Sequence, residues 1–325
     1  MHILRNLGDL PSAPQGGVIA VGNFDGVHKG HRAVIGEAGR IARDAGVPWL
    51  VLTFEPHPRS VFSPDTAPFR ITPPPVKTAL IEQLGVDCMV ELPFDLEFSR
   101  QSAESFVDTV IVKGLGAHHV VSGYDFVFGH GRKGNCELLL HMGRDRGFGF
   151  TSLAAAGDGT GGAYSSTRVR TLLREGKPRQ AGEILGRDFE VDGIVEGGAK
   201  RGRSIGFPTA NVQLGAYIRP ATGVYAVRAA LTDTAKPHWY NGVANFGSRP
   251  TFDGTGELLE VHLFDFSRDL YGKHLRVALI EYLRPEIKFD GIEALRAQIA
   301  TDAEAARRIL KSAAVLPLNK QRARP

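Results

Sequence analysis

The hydrophobic period of this chain changes once, near Gly186. Before that point short β-branched runs alternate with segments whose apolar residues recur every three or four positions. VIAV (18–21) is followed by helical spacing at Val34, Ala38, Ile41, Ala42 and Ala45, with Gly46 as a stop signal. Then come WLVLTF, a proline-rich loop from Pro56 to Pro75, a helix around VKTALIEQLG, the strand CMVELPF, a helix in AESFVDTVIVKGLG and the strand HHVVSGYDF. This alternation predicts a doubly wound α/β domain, a parallel sheet with helices on both faces and its ligand at the carboxyl ends of the strands. After Gly186 the runs FEVDGIVEGG, GVYAVRAALT, HWYNGVANFG, LLEVHLFDF and HLRVALIEYL are separated by Gly, Pro and Asp turns, the pattern of an antiparallel barrel or sandwich. A helix from about Ile292 to Leu310 closes it, with Leu295, Ile299, Ala303 and Ala306 on one stripe. The change of period predicts two domains, 1–184 and 185–325, which 325 residues accommodate.

Charge and cysteine usage exclude several function classes. The 39 basic and 35 acidic side chains leave a net charge of only +4, and they are dispersed except for Lys320, Arg322 and Arg324. No basic stripe for nucleic acid is present, and the basic tail reads as a solvated terminus that looks disordered. Cys88 and Cys136 stand far apart with no CxxC spacing, which fits a reducing compartment. No apolar stretch is long enough to span a membrane, and MHILRNLGDL is too short and too polar for a signal peptide. The expected setting is cytoplasmic, without membrane or nucleic-acid partners. Homo-oligomerisation is left open.

The densest chemistry of the first half is VGNFDGVHKGH, Val21 to His31. His28 and His31 fall where a strand turns into a helix, where unpaired backbone N–H groups and the helix dipole favour an anion. A histidine at a helix start is often only a cap. Two of them, with Lys29 between and glycines at 22, 26 and 30, point instead to phosphate. Metal ligation by the pair is the weaker reading, because no further Cys or His cluster stands at fixed spacing. Nucleotidyl transfer needs alignment and neutralisation of growing negative charge, and imidazole N–H donors suit it. In YSSTRVRTLLREG, Ser165, Ser166 and Thr167 are good N-cap residues, while Arg168 and Arg170 in the first turn oppose the helix dipole at roughly 0.3–1 kcal/mol each unless an anion compensates. TFEPHP (53–58) and GYDFVFG (123–129) sit at two further predicted strand ends.

In the second half, GGAKRGRSIGFPTAN reads either as a glycine-rich hairpin with a solvated KRGR tip or as a phosphate site. Thr209 and Asn211 place a hydroxyl and a carboxamide in a constrained turn, oxygen donors that suit Mg²⁺. The stretch is not a Walker A loop. On an alternating strand Glu260, His262 and Phe264 share one face. A carboxylate there could take the proton from a primary alcohol attacking a γ-phosphate, or could simply face water.

GNFDGVHKGH, TFEPHP, GYDFVFG and SSTRVR, in this order and spacing, resemble the adenylyltransferase module of prokaryotic bifunctional riboflavin kinase/FAD synthetases, and HKGH matches the HxGH signature of the wider nucleotidylyltransferase superfamily. GRSIGFPTAN, GVYA, NFGSRPTF, LLEVHLFDF, DLYG and YLRPEIKF are similar to the riboflavin kinase module, in family order. The resemblance implies a nucleotidylyltransferase-like fold joined to a β-barrel, with ATP and Mg²⁺ used at both steps and riboflavin, FMN and FAD as substrates and products. It implies that His28 and His31 contact ATP phosphates from one side, with Gly22 and Phe24 in the same loop, and that Ser165, Ser166 and Arg168 embrace the triphosphate from the other. Asp125 would lie near the nucleotide, and Phe54 and His57 beside the flavin phosphate or ring. Thr209 and Asn211 would bind Mg²⁺ and ATP phosphates, and Glu260 would be the base on the ribityl 5′-hydroxyl. Tyr164 and Val169 depart from the family's isoleucines in this element. A silent nucleotide- or flavin-binding regulator is the reading of a different class, disfavoured by the intact Glu260 and HxGH histidines.

Overall fold

The computed structural model describes residues 1–6, 8, 14–157, 162–197, 206–232, 238–251 and 254–312, with backbone alone at 248–251 and 254–256. The KRGR tip and the basic tail lie outside the described residues. Contacts divide the chain into two units, Met1–Ser166 and a second from Thr167 onward.

The first unit is a six-stranded sheet, every strand parallel, in the order β1-β4-β3-β2-β5-β6. Its strands are β1 (His2–Leu4), β2 (Val18–Val21), β3 (Trp49–Glu55), β4 (Cys88–Pro93), β5 (His119–Gly123) and β6 (Gly149–Leu153). The helices are α1 (Lys29–Ala45), α2 (Pro58–Phe62), α3 (Pro74–Glu82), α4 (Ala103–Phe106), which runs on as π-helix through Val107–Gly114, and α5 (Cys136–Arg146). All four residues of β2 are buried, as covering both faces requires. One face packs Ile19, Leu50, Leu52 and Val90 against Phe106, Val110 and Leu139. On the other, α1 comes close enough that a Cβ on Gly39 would meet the Trp49 ring at 2.8 Å. The expected end of α1 is the observed one: Gly46 adopts φ 66° and its N–H caps Ala42 and Arg43. Between β3 and β2 the chain winds one way and from β2 to β5 the other, so the crevice beyond β2 and β5 is the topological switch point, where ligands of such sheets bind.

In the second unit α6 (Ser166–Arg174) and α7 (Pro178–Leu185) precede β7 (Phe189–Glu196), β8 (Ala210–Gln213), β9 (Gly223–Leu231), β10 (Trp239–Thr251), β11 (Gly254–Leu263) and β12 (His274–Arg284). They close into a barrel in the order β10-β11-β8-β7-β12-β9, the architecture implied by the family resemblance where periodicity alone allowed barrel or sandwich. Phe189, Val212, Tyr225, Phe246, Leu259 and Val277 are essentially inaccessible and fill it. A last helix, α8 (Ile292–Ser312), lies on the outer face of β9, β10 and β12, packing Ala306 and Leu310 on Val224, Ala226 and Ala278. Asp302 also falls on its buried stripe, where Arg284 grips it with bonds of 2.7, 3.0 and 3.1 Å.

Candidate active sites

The loop from β2 to α1 has an unusual backbone. Phe24, Gly26 and Val27 take φ of 51°, 89° and 40°, conformations that cost a non-glycine residue of order 1–3 kcal/mol each and need external support. Asp25 supplies it. Its buried carboxylate accepts bonds from Ile71 N (3.1 Å), Thr72 N (3.0 Å) and Thr72 Oγ1 (3.3 Å), while Gly26 N donates to Thr72 Oγ1 at 2.9 Å. Thr53 Oγ1 bonds Asn23 O, and Ser166 Oγ donates to Asp25 O at 2.8 Å. Nothing local in the sequence signals this long-range staple.

So held, the loop delivers His28 to the N-cap of α1, where its Nδ1 accepts the His31 N–H at 3.2 Å. An Nδ1 that accepts has its ring proton on Nε2, so capping itself turns the other ring nitrogen into a donor. His31 stacks on His28 with ring centroids 3.6 Å apart and 20° between planes, backed edge-on by Phe24 at 5.3 Å. Gly30 is required by this stack, since a Cβ there would lie 3.2 Å from both the His28 ring and the Tyr164 carbonyl. Tyr164, a departure from the family pattern, takes the Lys29 ammonium over its ring at 5.5 Å. Phe24 is 1% exposed, so only its backbone is accessible to a ligand. Gly22 lies beneath, where a Cβ would sit 3.0 Å from the Phe24 ring. Asp125 is exposed just past β5, across the switch point from this loop.

At the end of β3, His57 caps α2 in the manner of His28, its Nδ1 accepting from Arg59 N at 3.0 Å. Phe54, expected beside the flavin, is 8% exposed and packs among Phe94, Phe98 and Phe106. The aromatic side chain that stands out is Phe62, 61% exposed and edge-on to Phe94 at 5.7 Å, which the proline-rich loop concealed. Between the loops lies a buried ion cluster the sequence did not suggest. Arg70 grips Glu55 with two bonds of 3.0 and 2.7 Å, and the inaccessible Lys77 adds a third at 3.1 Å. Burial alone would raise the Glu55 carboxyl, but the Arg70 bonds and the Lys77 and Arg70 charges hold it below its usual range. Burial, with Arg70 adding to it, lowers the Lys77 ammonium against the pull of Glu55.

Ser165 and Ser166 close the first unit, and Arg168 belongs to the second, half-buried in the first turn of α6 beside the buried Arg170. No relation between Arg168 and the histidine loop follows from the contacts within either unit.

On the barrel, strand register builds the site. Glu260 on β11 pairs with Asn211 on β8 and with Asn245 on β10, giving one lateral row Asn211–Glu260–Asn245. The residues flanking that row, Ala210, Val212, Leu259, Val261, Ala244 and Phe246, are buried inside, so the row lies on the outer wall and Glu260 is half-buried there. Asn211 is only 8% exposed, and its Oδ1 has no hydrogen-bond partner among the described residues. Phe207 packs edge-on to His262 at 5.3 Å, and His262 Nδ1 donates to Pro208 O at 2.9 Å, so the segment carrying the exposed Thr209 runs along β11. Thr209, Asn211 and Glu260 are thereby brought together.

A FAD synthetase family model matches residues 10–168 and a riboflavin kinase model residues 185–310. The chain is 41% identical over 309 residues to the bifunctional riboflavin kinase/FMN adenylyltransferase of Escherichia coli K12, covering 94% of this chain and 97% of that one. It is 40% identical to the protein of that description from Bacillus subtilis, over 89% and 91% of the two chains. A crystal structure of a Streptococcus pneumoniae protein described as a macrolide-efflux protein superposes with a TM-score of 0.84 at 30% identity, covering 97% of this chain and 100% of that one. Among the described residues no helix is long and apolar enough to cross a membrane.

Proposed function

The chain belongs to the bifunctional riboflavin kinase/FMN adenylyltransferase family, making FMN from riboflavin and ATP and then FAD from FMN and a second ATP, and on that premise we propose which residues carry each step. Adenylyl transfer falls to the module 1–184 and phosphoryl transfer to 185–325. In the first, the His28 Nε2–H and the His31 ring donate bonds to the ATP phosphates as the FMN phosphate attacks and pyrophosphate leaves, worth about 10²–10³ in rate for one such donor. Gly22 and the Phe24 backbone shape the loop under the nucleotide, and Asp125 meets the nucleoside side. Ser165, Ser166 and Arg168 hold the triphosphate. His57 with the exposed Phe62 receives the flavin, Phe54 serving as support behind them. The stacked imidazole pair, the His28 ring fixed by its cap on α1 and the His31 ring laid against it, is the observation that carries this assignment.

In the second module Glu260 takes the proton of the ribityl 5′-hydroxyl as its oxygen attacks the γ-phosphorus of ATP. The buried, unpartnered Asn211 Oδ1 and the neighbouring Thr209 hydroxyl fit a hard cation with oxygen ligands. Thr209 and Asn211 would hold Mg²⁺, which when bound supplies charge neutralisation on the transferred phosphoryl group. The substrates are small molecules, riboflavin, FMN and ATP, and the reading is of a cytoplasmic enzyme acting without membrane or nucleic-acid partners. The test is chromatographic: with riboflavin and MgATP alone, FMN appears first and FAD follows. Formation of neither flavin nucleotide contradicts the reading.

A further inference from the structure

We propose that Glu286 is a positioning residue of the kinase step, acting through Asn245. Glu286 lies outside the barrel strands, two residues past β12, yet its Oε1 accepts a bond from Asn245 Nδ2 at 2.8 Å. Asn245 pairs with Glu260 in the β10–β11 register. An amide's two ends are nearly the same shape, and only its partners decide which way it faces. A carboxylate accepts and never donates, so Glu286 fixes the Asn245 nitrogen toward itself and turns the carbonyl oxygen away. The orientation of the amide beside the proposed base is thus set from outside the row.

Two further features reserve the place for Glu286. Gly247 lies two residues along β10 on the same face, and a Cβ there would fall 2.7 Å from the Glu286 Cδ and 3.0 Å from its Oε2. Gly247 is absent from the positive-φ residues, so its backbone does not call for glycine, and the space a Cβ would take there is filled by the end of the Glu286 side chain. The segment itself is tied down just upstream, where Arg284 holds the buried Asp302 of α8 and donates to Pro285 O at 2.9 Å. The register, the amide bond and the glycine slot together describe a fixed support for the group next to Glu260.

The test pairs two variants that reach this support from opposite sides. Glu286→Ala removes the acceptor, and Gly247→Ala drives a methyl into the space of the carboxylate. Each is expected to lower kinase kcat about tenfold or more, as misplacement of a catalytic group does, with KM for MgATP unchanged. The double variant should be no slower than the slower single one, and Glu286→Gln, which keeps an acceptor but can also donate and so fixes the amide less firmly, should fall between Glu286→Ala and the wild type. FAD formation from supplied FMN stays at the wild-type rate throughout. Wild-type kcat in either single variant, additive losses in the double, or a change in KM alone would each overturn the proposal. The inference rests on Glu260 as base, and Glu260→Gln separates the two: an active Glu260→Gln enzyme refutes that reading, whereas an inert one beside a fully active Gly247→Ala enzyme refutes only this inference.

Discussion

The two proposed sites would handle the same nucleotide with opposite equipment, donors in the α/β half and a carboxylate flanked by amides on the barrel. The nucleophiles account for the contrast. FMN attacks with a phosphate whose second pKa is about 6, already charged near neutrality, so no proton has to leave it. That site needs donors for the charge that grows on ATP. Riboflavin attacks with a neutral hydroxyl, whose proton requires an acceptor. Residue chemistry at each site therefore reports the protonation state of what attacks there, whereas fold alone reports only where a ligand sits.

The contrast is broken most severely at Glu260. Glu260→Gln keeps shape and reach but cannot accept a proton, so kinase turnover should fall by about 10²–10⁴. KM for ATP and conversion of supplied FMN to FAD should hardly change in steady-state assays. Retained turnover with weakened riboflavin binding would make Glu260 an anchor and remove the difference between the sites. Next comes His28→Ala or His31→Ala, expected to cost FAD formation about 10²–10³ while FMN formation proceeds. Because His28 also caps α1, His28→Ala should lower stability by about 0.5–2 kcal/mol. His28→Asn sharpens the point, restoring the cap in a thermal melt without restoring adenylyl transfer. Thr209→Ala or Asn211→Ala should raise the Mg²⁺ needed for half-maximal kinase rate by about tenfold, and an unchanged Mg²⁺ titration would misplace the metal.

The smallest effect concerns acid stability of the first unit. Glu55 has its folded-state pKa held below the unfolded value despite its burial. Its contribution is therefore present above the ordinary carboxylate range and lost as pH falls through the folded pKa. The chain's two tryptophans, Trp49 and Trp239, fall one in each unit. In a Trp239→Phe background, Trp49 fluorescence should report a melting temperature that declines with acidity, and Glu55→Gln should flatten the decline. An identical slope in both proteins would show that Glu55 does not carry it.

What the sequence disclosed follows from what periodicity and local motifs encode. Strand ends, the α1 stop at Gly46 and the histidine pair were all legible, because each depends on neighbours within one turn. The barrel's closure was legible only through the family resemblance, since alternating runs serve sandwiches equally well. Charge partners across long separations escaped. Asp25 reaches residues 46 and 47 positions away, and Lys77 sits within an apparently amphipathic helix yet is wholly buried on Glu55. The surroundings of Phe54 were not legible either, because an aromatic residue at a strand end can face ligand or core, and the pleat here turns it toward Phe106. Phe62 was hidden inside a segment read only as a loop, where α2 now holds it exposed. Glu286 became visible only through register, once Asn245 was seen to pair with Glu260.

The central claim is that each half carries one complete and chemically distinct step. Mixing the Glu260→Gln and His28→Ala variants tests it in a single vessel with riboflavin and MgATP, followed by chromatography of the flavins. Alone, Glu260→Gln should leave riboflavin untouched and His28→Ala should stop at FMN. Together they should make FAD, because FMN released by one protein is adenylylated by the other. A mixture that produces no more FAD than either variant alone would contradict the account.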